Sequence, residues 1–353
     1  MTHCASFLGL SMGWRLKGEA GRISVLRSVL QGFLPALVLA LVSAQAAAAP
    51  LRVVASFSIL ADMVRVVGGE DVHVEALVGP RADAHSFEPS PADTRRLAQA
   101  QVLVVNGLSF EAWLPRLLKA SQFKGQEIVA SMGVIPRRLD PSAHDDHDDH
   151  DTPEPDAAQR DIDPSISAQE VRRGRVDPHA WQSLENGMIY ARNIAEGLSR
   201  VDPAHRAAYR ERADRYIQEM KKLDTEIRTA LAPVKAEHRR VVVTHDAFGY
   251  FGQAYGITFI GIMGLSPHAE PSARELADII QTVRHSQGVA LFDENGLHSR
   301  LIRQVSRETG IKVGGSLYSD TLAMSDEPAD SYLGMFKWNA GQLIYALSPE
   351  AKR

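Results

Sequence analysis

Val102-Leu103-Val104-Val105-Asn106-Gly107 is a short, unbroken apolar run closed by a turn signal. A strand that meets water on one face alternates apolar with polar residues, whereas one covered on both faces does not. Four consecutive apolar residues, three of them valine, therefore predict a strand buried inside a parallel sheet. The flanks agree. Residues 52–55 predict a strand and residues 57–67 a helix ended by Gly68-Gly69. Residues 72–78 alternate as a second strand, and Pro91 opens a helix that runs to residue 100. Beyond the run, residues 110–120 predict a helix and residues 127–130 a fourth strand. Such alternation is the pattern of a parallel sheet with helices on its faces.

The pattern is lost between residues 140 and 175. Pro141, Pro153, Pro155 and Pro164 lie there, with the run His144-Asp145-Asp146-His147-Asp148-Asp149-His150-Asp151. So few apolar residues predict a disordered loop. Helical periodicity resumes after His179 and breaks at Val201-Asp202-Pro203, with Asp202 as the expected N-cap of the next helix. That helix, residues 203–231, is the longest pattern in the chain and would span roughly 43 Å. Its charge allows either a solvated surface helix or a stiff connector. A second alternation follows. Strands are expected at 240–244, 257–262, 289–292 and near 312–313. Helices are expected around Tyr250 and at 272–285, 299–309 and 330–347. The two halves share a plan without a close sequence repeat.

The chain has 353 residues, enough for two cores, and 44% hydrophobic content, ordinary for a globular protein. A net charge of −4 gives no reason to expect nucleic acid as a partner. The one cysteine, Cys4, excludes an intramolecular disulfide and a cysteine-based zinc site. The N-terminus reads as a secretory signal. Arg15, Lys17, Arg22 and Arg27 precede a mostly apolar stretch at 29–42, and Ala44-Gln45-Ala46 matches a small-x-small cleavage site. The apolar stretch is shorter than the roughly 20 residues of a membrane span. Residues 1–46 are therefore expected to leave a soluble chain beginning near Ala47, with a net charge of −7.

Three histidines stand where a sheet of this kind binds ligands, on loops that lead from strands to helices. His85 lies in Asp83-Ala84-His85-Ser86-Phe87-Glu88-Pro89-Ser90-Pro91. His179 follows Asp177-Pro178, where proline holds the backbone. His245 follows the β-branched run Val241-Val242-Val243-Thr244. Asp320, in Leu317-Tyr318-Ser319-Asp320-Thr321-Leu322, is a fourth candidate on a late loop. Each alone has an ordinary reading. His85 is then a loop residue, His245 a polar strand end and Asp320 a helix cap. Together they form a nitrogen-rich set that suits tetrahedral zinc better than oxygen-preferring manganese. His144, His147 and His150, three apart among acids, form a separate candidate for weak, accessory zinc binding; the alternative is a solvated acidic linker. His73, His205, His238, His268, His285 and His298 are expected to be surface or local hydrogen-bonding residues.

The segments DAHSFEPSP, VDPHAW, THDAFGYF and LYSDTL occur in this order. They resemble the metal-binding loops of cluster A-I solute-binding proteins, the periplasmic zinc- or manganese-binding components of ABC importers. The closing ADSYLGMFKWNAGQLIYAL resembles that family's last helix. The resemblance runs from about Leu51 to the C-terminus. It implies an α/β fold with two Rossmann-like lobes and parallel sheets, joined by a long linker helix, with the metal in the inter-lobe cleft. The lobes would be residues 47–200 and 234–353, and the linker residues 201–233. His85 and His179 would come from the first lobe, and His245 and Asp320 from the second. Manganese-binding relatives commonly carry Glu where His245 stands.

The function so implied is not enzymatic. It is capture of zinc in the periplasm and delivery to a membrane permease, by a monomer, with a periplasmic zinc chaperone as a further candidate partner. A manganese carrier of the same class is the nearest alternative. A zinc hydrolase with three histidines and an open coordination position is another, with Glu88 or Asp246 as its base, but no HExxH motif is present. A surface adhesin is a third, against which the expected absence of a lipid anchor counts.

Overall fold

A computed structural model describes residues 49–138, 176–263, 271–295 and 299–348. The expected signal segment and the loop with His144, His147 and His150 lie outside the described residues, as do His268 and His298.

The first half is a four-stranded parallel sheet in the order β2-β1-β3-β4. Its strands are β1 (Leu51–Phe57), β2 (Val72–Val78), β3 (Val102–Val105) and β4 (Gln126–Val129). β3 is buried at all four positions and lies between β1 and β4, as its unbroken apolar run requires. β2 is an edge strand, and its first five residues are all at least partly exposed. The first crossover helix, α1 (Ser58–Gly68), ends where Gly69 takes a left-handed conformation, φ 58°, that its lack of a Cβ permits. α2 (Pro91–Gln99) begins with proline and a capping box between Ser90 and Asp93.

One helix begins later than its periodicity suggests. α3 spans Leu114–Ser121, not residues 110–120. Gly107, Leu108 and Ser109 all have positive φ, and the Glu111 carboxylate turns back to accept from the Asn106 N–H (2.7 Å) and the Ser56 hydroxyl (2.7 Å). These bonds hold residues 107–111 as a turn and place Phe110 in the core.

The second half repeats the architecture. Strands β5 (Arg240–Val243), β6 (Thr258–Gly261), β7 (Ala290–Glu294) and β8 (Val313–Leu317) form a parallel sheet in the order β6-β5-β7-β8. The lobes thus share strand order without a sequence repeat. Helices α6 (Gly249–Tyr255), α7 (Ala273–His285) and α8 (Ser299–Thr309) connect its strands.

Between the sheets run α4 (Leu184–Val201) and α5 (Arg206–Leu231). α5 is the long helix expected from residue 203, but Pro203–His205 form a separate 3-10 turn before it. Asp202 does not cap it; its carboxylate is taken by the Tyr209 hydroxyl (2.7 Å) and His205 Nδ1 (2.6 Å). Nor is α5 only a charged surface helix. Tyr209, Ala213, Tyr216, Met220, Leu223 and Ile227 form a buried stripe at three- and four-residue spacing. This stripe packs α5 against α4, α1 and the last helix, α9 (Tyr332–Leu347). α9 touches both halves. It lies on β8, and its Tyr332 donates its N–H to Asp62 of α1 (2.8 Å) and its hydroxyl to the Trp181 carbonyl (2.7 Å). One apolar core therefore runs from Val53 and Val104 to Val243, Phe292 and Phe336. No helix among the described residues is long and apolar enough to cross a membrane.

Candidate metal centre

His85, His179, His245 and Asp320 meet between the two sheets, on the side of the strands' carboxyl ends. Each offers one ligand atom, and these atoms all lie within 4.8 Å of one another. His85 Nε2 is 3.3 Å from His179 Nε2 and 3.4 Å from Asp320 Oδ2. His179 Nε2 is 3.5 Å from Asp320 Oδ1, and His245 Nε2 is 2.9 Å from Asp320 Oδ2. Donors on a tetrahedral zinc with bonds of 2.0–2.1 Å would lie roughly 3.3–3.4 Å apart. The His85–His179 and His85–Asp320 Oδ2 separations already match such an edge. Asp320 Oδ1 is buried without a hydrogen-bond partner. A buried acceptor left in this way is costly unless a cation or donor satisfies it. The donor set therefore fits a divalent cation.

Local sequence presents each ligand. The Asp83 carboxylate accepts from the His85 N–H (2.8 Å) and the Ser86 hydroxyl (2.6 Å), which folds the loop into an Asx-type turn ahead of the Ser90 cap. Pro178 and the 3-10 turn Ala180–Gln182 set His179. β5 delivers His245 at its buried end. The Asp320 segment is held from the first half of the chain. The Ser319 carbonyl accepts from Trp181 Nε1 (2.8 Å) and Gln182 Nε2 (2.6 Å), and the Leu322 N–H donates to Ser58 Oγ (3.0 Å). No helix follows Asp320 until Tyr332, so it is not a helix cap.

Two acidic residues that the motif reading did not single out complete the site. Asp177 Oδ1 lies 2.8 Å from His179 Nδ1, and Asp177 Oδ2 accepts from Arg137 (2.9 Å). Glu294 Oε2 lies 2.7 Å from His245 Nδ1, at ion-pair distance but off the ideal hydrogen-bond line. Asp177 was visible in the sequence, two residues before His179. Glu294 had no local signal, because it reaches His245 only when β7 pairs with β5. Phe110 supplies the apolar wall, its ring 5.0 Å from that of His85 and 4.7 Å from that of Trp181.

Burial pushes the His245 imidazole down, but Glu294 and Asp320 outweigh it and hold it well above the usual histidine value. Burial likewise pushes the Asp320 carboxyl up, and His245 and His179 outweigh it and hold it well below the usual range. Both directions come from the close approach of His245 to Glu294 and Asp320 inside the fold. A dication bound here would take the place of a proton on His245.

The other described histidines lie outside this cluster. His73 is exposed beside Glu75, His205 contacts Asp202 and Asp71, His238 is near Glu237, and His285 bonds to the Gln281 carbonyl.

Two parallel sheets with imidazole and carboxylate donors gathered between them suit a protein that holds a metal ion. Comparison with known proteins agrees. A family model described as zinc-uptake complex component A, periplasmic, matches residues 53–346, and the chain belongs to that family. Among curated relatives, the manganese ABC transporter substrate-binding lipoprotein PsaA of Streptococcus pneumoniae is 27% identical over 87% of this chain and 92% of its own. The iron ABC transporter substrate-binding lipoprotein MtsA of Streptococcus pyogenes is 29% identical over 84% of this chain and 89% of its own. In fold, the chain is similar to the periplasmic zinc-binding protein TroA of Treponema pallidum, with TM-score 0.71, 23% identity, and 85% and 99% of the two chains covered. It is also similar to a manganese-bound periplasmic metal-binding protein of Candidatus Liberibacter asiaticus, with TM-score 0.68, 25% identity, and 84% and 100% covered.

Proposed function

We propose that this protein captures Zn2+ in the periplasm through His85, His179, His245 and Asp320 and delivers it to an ABC permease in the membrane. The observation that supports this reading is the convergence of three imidazole nitrogens and one carboxylate oxygen within 4.8 Å. Nitrogen donors favour zinc over manganese, whose preference is for oxygen. The named relatives carry different metals, so the choice rests on this donor set. Residues 1–46 act as the signal segment in this reading. Residues 47–200 and 234–353 are the lobes, and residues 201–233 the linker. His144, His147 and His150 are accessory, low-affinity sites that gather zinc. The carrier acts as a monomer.

A hydrolase needs an open coordination position for water. Asp320 turned into the site as a fourth donor argues against one.

Competition dialysis of the untagged protein against equal Zn2+ and Mn2+ tests the metal. Zinc is expected to bind at least tenfold more tightly, a gap of about 1.4 kcal/mol. Preferential retention of manganese would overturn the zinc reading and leave the carrier reading standing.

A further inference from the structure

Acidic side chains hold all three histidines by the backbone, but only two by the ring. Asp177 Oδ1 accepts from the His179 N–H (3.0 Å) and also meets its Nδ1 at 2.8 Å. Glu294 flanks His245 in a similar way: Oε1 accepts from the N–H (2.9 Å), and Oε2 lies 2.7 Å from Nδ1, at ion-pair distance. Asp83 holds the His85 N–H (2.8 Å), but its second oxygen is taken by Ser86. Among the described residues, no carboxylate faces His85 Nδ1. The side chains of His179 and His245 are 0% and 2% exposed, and that of His85 is 10% exposed.

An imidazole binds a metal through a nitrogen that carries a lone pair. A carboxylate at Nδ1 favours the hydrogen there, which leaves Nε2 as the nitrogen that gives up its proton to the metal, and it restrains the ring plane. A ring already fixed loses little freedom when it coordinates. Asp320 is fixed too, since the backbone on either side of it is pinned by Trp181, Gln182 and Ser58.

We propose that Asp177 and Glu294 are positioning residues that preset His179 and His245, with Asp320, as a three-ligand platform for a divalent cation, and that His85 closes last and opens first. The order follows from what is held. Three ligands are set before metal arrives, and the ligand nearest solvent is the one whose Nδ1 no carboxylate holds. This rests on the ligand set proposed above.

The test uses the full chain with Zn2+, and with Co2+ as a spectroscopic substitute. Glu294→Gln keeps the shape but inverts the chemistry. Its amide oxygen can accept from the His245 N–H, and its NH2 then faces Nδ1 and demands a lone pair there, which leaves the hydrogen on Nε2. Zinc affinity is expected to fall about 10- to 100-fold, and the visible Co2+ bands to lose four-coordinate intensity, while the metal-free chain still unfolds cooperatively. His85→Ala is expected to keep one stoichiometric zinc and release it to a chelator at least tenfold faster than wild type. His245→Ala is expected to lose the stoichiometric site at the same concentrations. Wild-type affinity and Co2+ spectrum in Glu294→Gln would overturn the positioning role. Equal affinity and release rate in His85→Ala and His245→Ala would overturn the order, and that comparison stands even if Glu294→Gln does not fold. Failure of the wild-type chain to bind either metal would instead remove the ligand set.

Discussion

At the scale of the residue, the four donors have unequal surroundings but a shared burden. Each is a polar group held out of water, and each is stabilised by its neighbours more than by solvent. His179→Ala removes one donor and leaves Asp177 facing a cavity. Zinc affinity is expected to fall by more than tenfold in a chelator competition titration, about 1.4 kcal/mol for each factor of ten. His285→Ala, on an exposed helix end, should leave affinity unchanged. A result in which both variants bind as wild type would remove His179 from the site. Glu111 shows what burial does without a metal. Burial pushes its carboxyl up to about 7, against the opposing bonds from the Asn106 N–H, the Ser56 hydroxyl and the Gly107 N–H. The sign follows directly. Between the ordinary carboxylate value and about 7, the folded chain keeps a proton that the unfolded chain has lost. Stability therefore decreases as pH rises through that window, by on the order of 3 kcal/mol in total. Glu111→Gln should flatten this slope in denaturant titrations run from pH 5 to 8. An unchanged slope would mean that Glu111 is ionised throughout.

At the scale of the element, what matters most is how each strand hands over to the next helix. The box between Ser90 and Asp93 ends the His85 loop and starts α2. The Ser90 N–H donates to Asp93 (2.8 Å), and the Asp93 N–H to Ser90 Oγ (3.3 Å). Ser90→Ala is expected to cost about 1 kcal/mol of folding free energy, read from the midpoint of urea unfolding. No shift in that midpoint would show that Pro91 alone suffices to start the helix. The start of α2 was legible because serine, proline and aspartate at these positions carry a local mechanism. The start of α3 was not. Helical periodicity continues back to Phe110, and only the long-range bond from Glu111 to Ser56 shows why the backbone turns there instead. Asp202 is a similar case. Its sequence position suits a cap, but Tyr209 and His205 reach it first.

At the scale of the whole molecule, an ion held by the proposed donors would join the two sheets. A ligand that binds only the folded chain stabilises it by mass action, about 2.7 kcal/mol at a free concentration one hundred times its dissociation constant. Zinc at that concentration should raise the calorimetric melting midpoint, and a chelator should return it to the metal-free value. The increment should be lost in His179→Ala. A midpoint that does not move with saturating zinc would mean that the four donors do not close on the metal together.

The sequence by itself determined the elements and the donors. Buried parallel strands reveal themselves as unbroken apolar runs, helices by their period and caps, and candidate ligands by histidines set on strand-to-helix loops. All of these are local properties. They sufficed for two α/β halves, a long connecting helix and His85, His179, His245 and Asp320 as candidates, a set that drew its weight from the family resemblance of the four segments in order. Only the tertiary structure decided that these four residues meet, because their sequence separations say nothing of distance until the strands pair. It also revealed Glu294 behind His245, the buried stripe that makes α5 part of the core, and the Asp320 segment pinned by Trp181, Gln182 and Ser58. Each of these depends on contacts between residues far apart in the chain, and such contacts leave no period, cap or turn for a local reading to find.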